Sequence, residues 1–152
     1  MFAYAGSGSL QGGAVAPELG PAQAVESIPS VLWVPDDDVR LLLRGILTLQ
    51  HCPVALELSS AEALRRWEAP TTALFVVDAV SGAERWREEL TEALRLRPEL
   101  RAIVLLPRDR DGLRHEAEAL GARATVVRPF AVREFVAAVH EAMKDLPVRP
   151  GD

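Results

Sequence analysis

The chain is short of the residues that make cross-links and metal cages. Cys52 is its single cysteine in 152 residues, which excludes an internal disulfide and leaves a zinc site without the cluster of Cys and His ligands it needs. His51, His115 and His140 are dispersed along the chain at no metal-ligand spacing. An unpaired cysteine suits a reducing cytoplasmic compartment. No apolar run approaches the roughly 20 residues of a membrane helix. The first Lys or Arg is Arg40, so the basic segment that opens an export signal is missing too. Neither membrane insertion nor export is expected. Positive charge is also the minority, with 17 Lys and Arg against 22 Asp and Glu and a net charge of −5. The overall field repels phosphate backbones, and nucleic acid is not an expected partner.

What is present suffices for one core, with 49% hydrophobic residues in a length typical of a single domain. Residues 1–28 carry five of the ten glycines, Pro17, Pro21 and two charges, Glu18 and Glu26. Without helical or strand periodicity, they read as a flexible leader. Residues 29–146 read as the folded domain and 147–152 as a short tail. Inside the domain, short apolar runs begin at Val31, Val54, Ala73, Ala102 and Ala124, between 19 and 29 residues apart. Each interval has room for a strand and a crossover helix, the pattern of βα units around a parallel sheet. The runs at Val31, Ala73 and Ala102 are continuously apolar, as strands covered on both faces are. The run at Val54 includes Glu57, which suits an edge.

Helix signals fill the intervals. Val39, Leu42, Leu43, Ile46 and Leu49 are expected to form one inward face, behind Asp36, Asp37 and Asp38 at a helix N-terminus. Ser59 with Glu62, and Ser81 with Glu84, fit the capping box. The helices after them are expected to bury Leu64 and Trp67, then Trp86, Leu90, Ala93 and Leu94, with Pro98 as a stop. A fourth helix from about Asp111 presents Leu113, Ala117 and Leu120 and ends at Gly121. The fifth presents Val132, Phe135, Val136, Val139, Met143 and Leu146. Arg85, Arg87, Arg95 and Arg97 alternate with Glu88, Glu89, Glu92 and Glu99, a solvated ion-paired face. The expected architecture is a flavodoxin-like α/β three-layer sandwich with sheet order 2-1-3-4-5, two helices on one face and three on the other.

In such a sheet, function collects at the carboxyl ends of the strands. There lie Asp36, Asp37 and Asp38 after the first strand, Asp78 after the third, Leu106 and Pro107 at the fourth, and Arg128, Pro129 and Phe130 at the fifth. This combination resembles the response-regulator receiver domain of bacterial two-component signalling, from about Ser30 to Met143. The likeness is most specific where Ala119-Leu-Gly-Ala122 leads to Val126-Val-Arg-Pro-Phe130. In that family the residue matching Asp78 takes a phosphoryl group, an acidic pair helps hold Mg²⁺, and a hydroxyl and a lysine bind the phosphoryl oxygens. The resemblance implies Asp78 as phosphoacceptor candidate, Asp36 and Asp37 as candidate metal ligands, and Leu106 and Arg128 at the phosphate-site positions.

The chain departs from that pattern where the chemistry is most demanding. Leu106 stands at the hydroxyl position, and no Ser or Thr occurs between Thr91 and Thr125. Arg128 stands at the lysine position, the chain's only lysine being Lys144. A planar guanidinium suits a fixed bidentate pair, and Arg128 is expected to clamp Asp78. Thr125 replaces the aromatic often found on the fifth strand. The expectation is therefore a non-enzymatic pseudo-receiver, a protein–protein interaction module without obligatory phosphorylation. It needs no cofactor, and Mg²⁺ enters only if Asp78 is phosphorylated. Its partner is another signalling or scaffold protein, or a second copy of itself. His115, Glu118, Arg123, Thr125 and Arg133 are partner-surface candidates on the strength of the resemblance. The alternatives are a conventional single-domain response regulator phosphorylated on Asp78 in a phosphorelay and, further off, a flavodoxin-like cofactor binder.

Overall fold

A computed structural model describes residues 27–68, 72–80, 84–108, 110 and 112–145. Five strands alternate with helices. They are β1 (Ser30–Trp33), α1 (Asp37–Leu49), β2 (Val54–Glu57), a 3-10 helix (Ala61–Arg66), β3 (Leu74–Asp78), α2 (Arg85–Leu96), β4 (Arg101–Pro107), α3 (Gly112–Leu120), β5 (Ala124–Arg128) and α4 (Val132–Met143). All pairings are parallel and the sheet order is β2-β1-β3-β4-β5. This is the flavodoxin-like arrangement expected from the sequence. The leader and tail fall outside the described residues except for Ser27 and Ile28.

Alternation along each strand sends side chains to opposite faces, and two cores result. Leu32, Leu74, Val76, Ile103, Leu105 and Val126 meet α1 and α4 through Leu43, Leu47, Phe135 and Val139. Val31, Trp33, Phe75, Val77, Val104 and Leu106 meet the 3-10 helix, α2 and α3 through Leu64, Trp86, Leu90 and Leu113. The strand β2 is the edge. Its Glu57 is held by Arg40 and Arg44 of α1, which blunts a row of unpaired backbone groups.

Three local expectations need correction. The second crossover is a six-residue 3-10 helix capped by Ser60, whose hydroxyl accepts from Glu62 N–H at 3.2 Å. Ser59 instead offers its carbonyl to Trp33 Nε1 at 3.2 Å. With three residues per turn its inward positions are Ala61 and Leu64, both buried, while Trp67 follows at the C-cap, only partly covered and under Arg97. On α1 the buried residues are Leu43, Ile46 and Leu47, not Leu42 and Leu49, which stand exposed. A Leu-rich helix offers two inward phases one residue apart, and the Asp36 cap fixes the one adopted. Finally, α2 starts at Arg85 behind Glu84, which makes no side-chain cap. Ser81, Asp111 and Leu146 lie outside the described residues.

Two glycines differ in what they do. Gly121 has φ +116°, a conformation that other residues rarely adopt, and it ends α3 there; a Cβ would also displace Leu94 Cδ1, 2.7 Å away. Gly45, mid-way along α1, has open space where a Cβ would be, although a mid-helix glycine costs about 1 kcal/mol relative to alanine.

Candidate functional site at the carboxyl ends of the strands

The site is assembled by the register of the sheet. Asp36 follows β1 as the N-cap of α1. Its Oδ1 accepts the N–H groups of Asp38 at 2.9 Å and Val39 at 3.2 Å, satisfying donors that a helix start leaves over. Asp78 ends β3 and is fully buried. Its Oδ1 accepts from Val80 N–H at 2.9 Å, which fixes the first turn beyond the strand. Arg128 ends β5 next to the cis Arg128–Pro129 peptide. Its guanidinium reaches both acids, with Nη1 3.0 Å from Asp78 Oδ2 and Nη2 3.2 Å from Asp36 Oδ2. The ends of β1, β3 and β5 are thus tied by one cation.

The electrostatics follow from these contacts. The Val39 N–H, above all, lowers the Asp36 carboxyl below its ordinary value, with help from Arg128 and the Asp38 N–H and against the opposing pull of desolvation. Each of the four carboxylate oxygens of Asp36 and Asp78 already accepts from a protein donor. Asp37 is not part of this cluster: it is exposed and paired with Arg40. Among the described residues no group of three or more His, Cys, Asp or Glu could hold a metal ion. Mg²⁺ is commonly held through one or two carboxylates and several waters. Here the Arg128 guanidinium stands between Asp36 and Asp78 and takes one oxygen of each, so the pair of acids is neutralised without an ion.

The structure also moves one assigned position. Leu106 belongs to the core facing α2 and α3, packed with Trp86 and Val77, and so points away from Asp78. The β4 residue paired in register with Arg128 is Pro107, which shares the face of Leu105. Strand alternation counted back from Arg128 through Val126 would have found it. Pro107 brings no hydroxyl either, and its ring offers no donor.

The partner-surface candidates lie on and around β5. His115 and Glu118 on α3, Arg123 before β5 and Arg133 on α4 are exposed, while Thr125 is half-buried. Arg123 approaches Asp145 at 3.9 Å. Thr125 lines a groove of about 310 Å³ with Arg108, Arg114, Val127, Pro129 and Glu134. Cys52 is buried, and burial pushes its thiol up to about 11, which leaves it unreactive at neutral pH.

With this geometry the chain superposes on solved receiver domains. A CheY-like response regulator receiver domain protein from Methanospirillum hungatei JF-1 matches with a TM-score of 0.65 at 18% identity, over 79% of this chain and 96% of its own. A response regulator from Thermotoga maritima matches at 0.66 and 18%, over 79% and 100%. The BeF3-activated DrrB receiver domain matches at 0.64 and 21%, over 78% and 99%. The fold is that of the receiver domain. No family model matches the sequence, and no curated protein does. Among the described residues, no helix is long and apolar enough to cross a membrane.

Proposed function

We propose that this chain is a signal-transduction protein whose receiver-fold domain works as a protein-interaction module and does not depend on phosphorylation. One observation carries the reading: the Arg128 guanidinium bridges Asp78 and Asp36. A carboxylate nucleophile must meet an anionic phosphoryl donor with cations free to neutralise the incoming charge. Here the available cation is already engaged by two acids, and Asp78 is buried with both oxygens accepting. The β4 position beside Arg128 is Pro107, so β4 offers no hydroxyl there to capture a phosphoryl oxygen and pull the adjoining loop with it. Signalling then rests on a constant surface, with the groove beside Thr125 as the site where a signalling or scaffold protein docks.

The test is intact mass after incubation with acetyl phosphate and Mg²⁺, with Asp78→Asn as control. The expected result is no adduct on folded wild-type protein. A mass gain of one phosphoryl group, lost in the Asn variant, would restore a conventional response regulator phosphorylated on Asp78.

A further inference from the structure

Five large apolar side chains are exposed among the described residues, and three of them belong to α1: Leu41 at 70%, Leu42 at 47% and Leu49 at 78%. With 3.6 residues per turn these three share one arc with Gly45, turned away from Leu43 and Leu47 and bordered by the buried Ile46. Gly45 sits in the middle of that arc with nothing within 4 Å of where its Cβ would be. The packing of the described residues gives no reason for a glycine there, and helix propensity argues against one. A backbone approaching from outside supplies the reason, because a missing Cβ lets two helices close up.

We propose that this face is a contact between two copies of the chain, α1 against α1, antiparallel and centred on Gly45. Three features choose a second copy as occupant. Leu41 and Leu49 lie four residues on either side of Gly45, so a two-fold axis through it sets Leu41 of each copy against Leu49 of the other, a self-complementary contact. A second copy brings a glycine of its own to the crossing, so neither helix holds the other off with a side chain. The antiparallel arrangement also keeps the exposed Asp37 and Asp38 of the two copies at opposite ends and opposes the helix dipoles. A parallel one would gather four carboxylates. Arg40 and Arg44 do not obstruct, since Glu57 of the same chain holds both. So small a patch buries less than about 1,200 Å² between two copies, the size class of weak, reversible association. The contact involves no residue of the Arg128 fork and stands whether or not Asp78 is ever phosphorylated.

Sedimentation velocity on the full chain, from about 5 to 500 µM to cover weak association, tests it. Wild-type protein is expected to show a reversible monomer–dimer equilibrium. Gly45→Gln should weaken the dimer at least tenfold while the melting temperature stays level or rises, because glutamine is the better helix former. Leu41→Glu and Leu49→Lys should each be monomeric alone. Their equimolar mixture should dimerise, because the new carboxylate of one meets the new ammonium of the other while the second Leu41–Leu49 contact survives. Wild-type protein that stays monomeric throughout overturns the proposal. So does a Gly45→Gln variant that dimerises as well as wild type, or a mixture that remains monomeric.

Discussion

Arg128 and Arg87 each grip two carboxylates, and the two forks differ mainly in what surrounds them. Arg87 of α2 spans Glu84 and Glu116, whose side chains are 75% and 38% exposed. The hydrogen bond to Glu116, foremost, raises its guanidinium above the ordinary arginine value. Arg128 is 17% exposed, and its acid Asp78 is entirely buried. If Arg87 is removed, water and salt take its place around Glu84 and Glu116, which is why exposed pairs of this kind add little to stability. If Arg128 is removed, nothing replaces it beside Asp78. The cost of a buried pair lies in the charge left behind, so two forks of the same kind carry different weight. This difference explains how a site that resembles a phosphorylation centre can act as a structural tie between strand ends.

The largest effect should come from Arg128→Ala, which strands a buried carboxylate and is expected to destabilise the domain by about 3–5 kcal/mol. The melting temperature should fall by on the order of 10 °C or more, measured by circular dichroism in parallel with Arg87→Ala. A fall no larger than that of Arg87→Ala would erase the distinction between the forks.

A smaller effect is expected from Asp36→Asn, because asparagine keeps the cap of α1 and removes only the charge facing Arg128. Asp36 has its folded-state value lowered from 3.8. Its stabilising contribution is therefore fully present above that ordinary value and is lost as pH falls toward the lowered one. At pH 7 the variant should melt about 2–4 °C below wild type. Urea midpoints measured against pH should converge below pH 3.8. A gap that persists unchanged into acid would assign the loss to the cap geometry instead of the charge.

The strands are legible in residue type, and the pair between Arg128 and Asp78 is legible through the resemblance to the receiver domain. Continuous apolar runs mark the central strands, Glu57 marks the edge, and a guanidinium opposite a strand-end carboxylate has few other uses. The phase of α1 was not legible. Leu41, Leu42, Leu43, Ile46, Leu47 and Leu49 satisfy two inward faces, and only the placement of Asp36 after β1 decides between them. The second crossover read as a full helix because Ser59 and Glu62 fit a cap by spacing, whereas the chain uses Ser60 and stops after six residues. The resemblance puts Leu106 at the site by counting to the end of the fourth strand. The pairing of Pro107 with Arg128 depends on register, which one segment read alone does not contain. That Asp36 shares Arg128 was hidden for the same reason, since 92 residues separate them.

The central claim is that Arg128 is committed to Asp78, and a double-mutant cycle tests it most directly. Asp78→Asn keeps an acceptor for Val80 N–H, and Arg128→Met keeps most of the side-chain volume without the charge. Unfolding free energies of wild type, both single variants and the double variant should yield a coupling of at least about 1.5 kcal/mol, within the range for residues in one network. It should persist at high salt, because the pair is shielded from solvent. Additive losses, or a coupling that salt abolishes, would mean that Arg128 does not hold Asp78 in solution and that the carboxylate is available for chemistry.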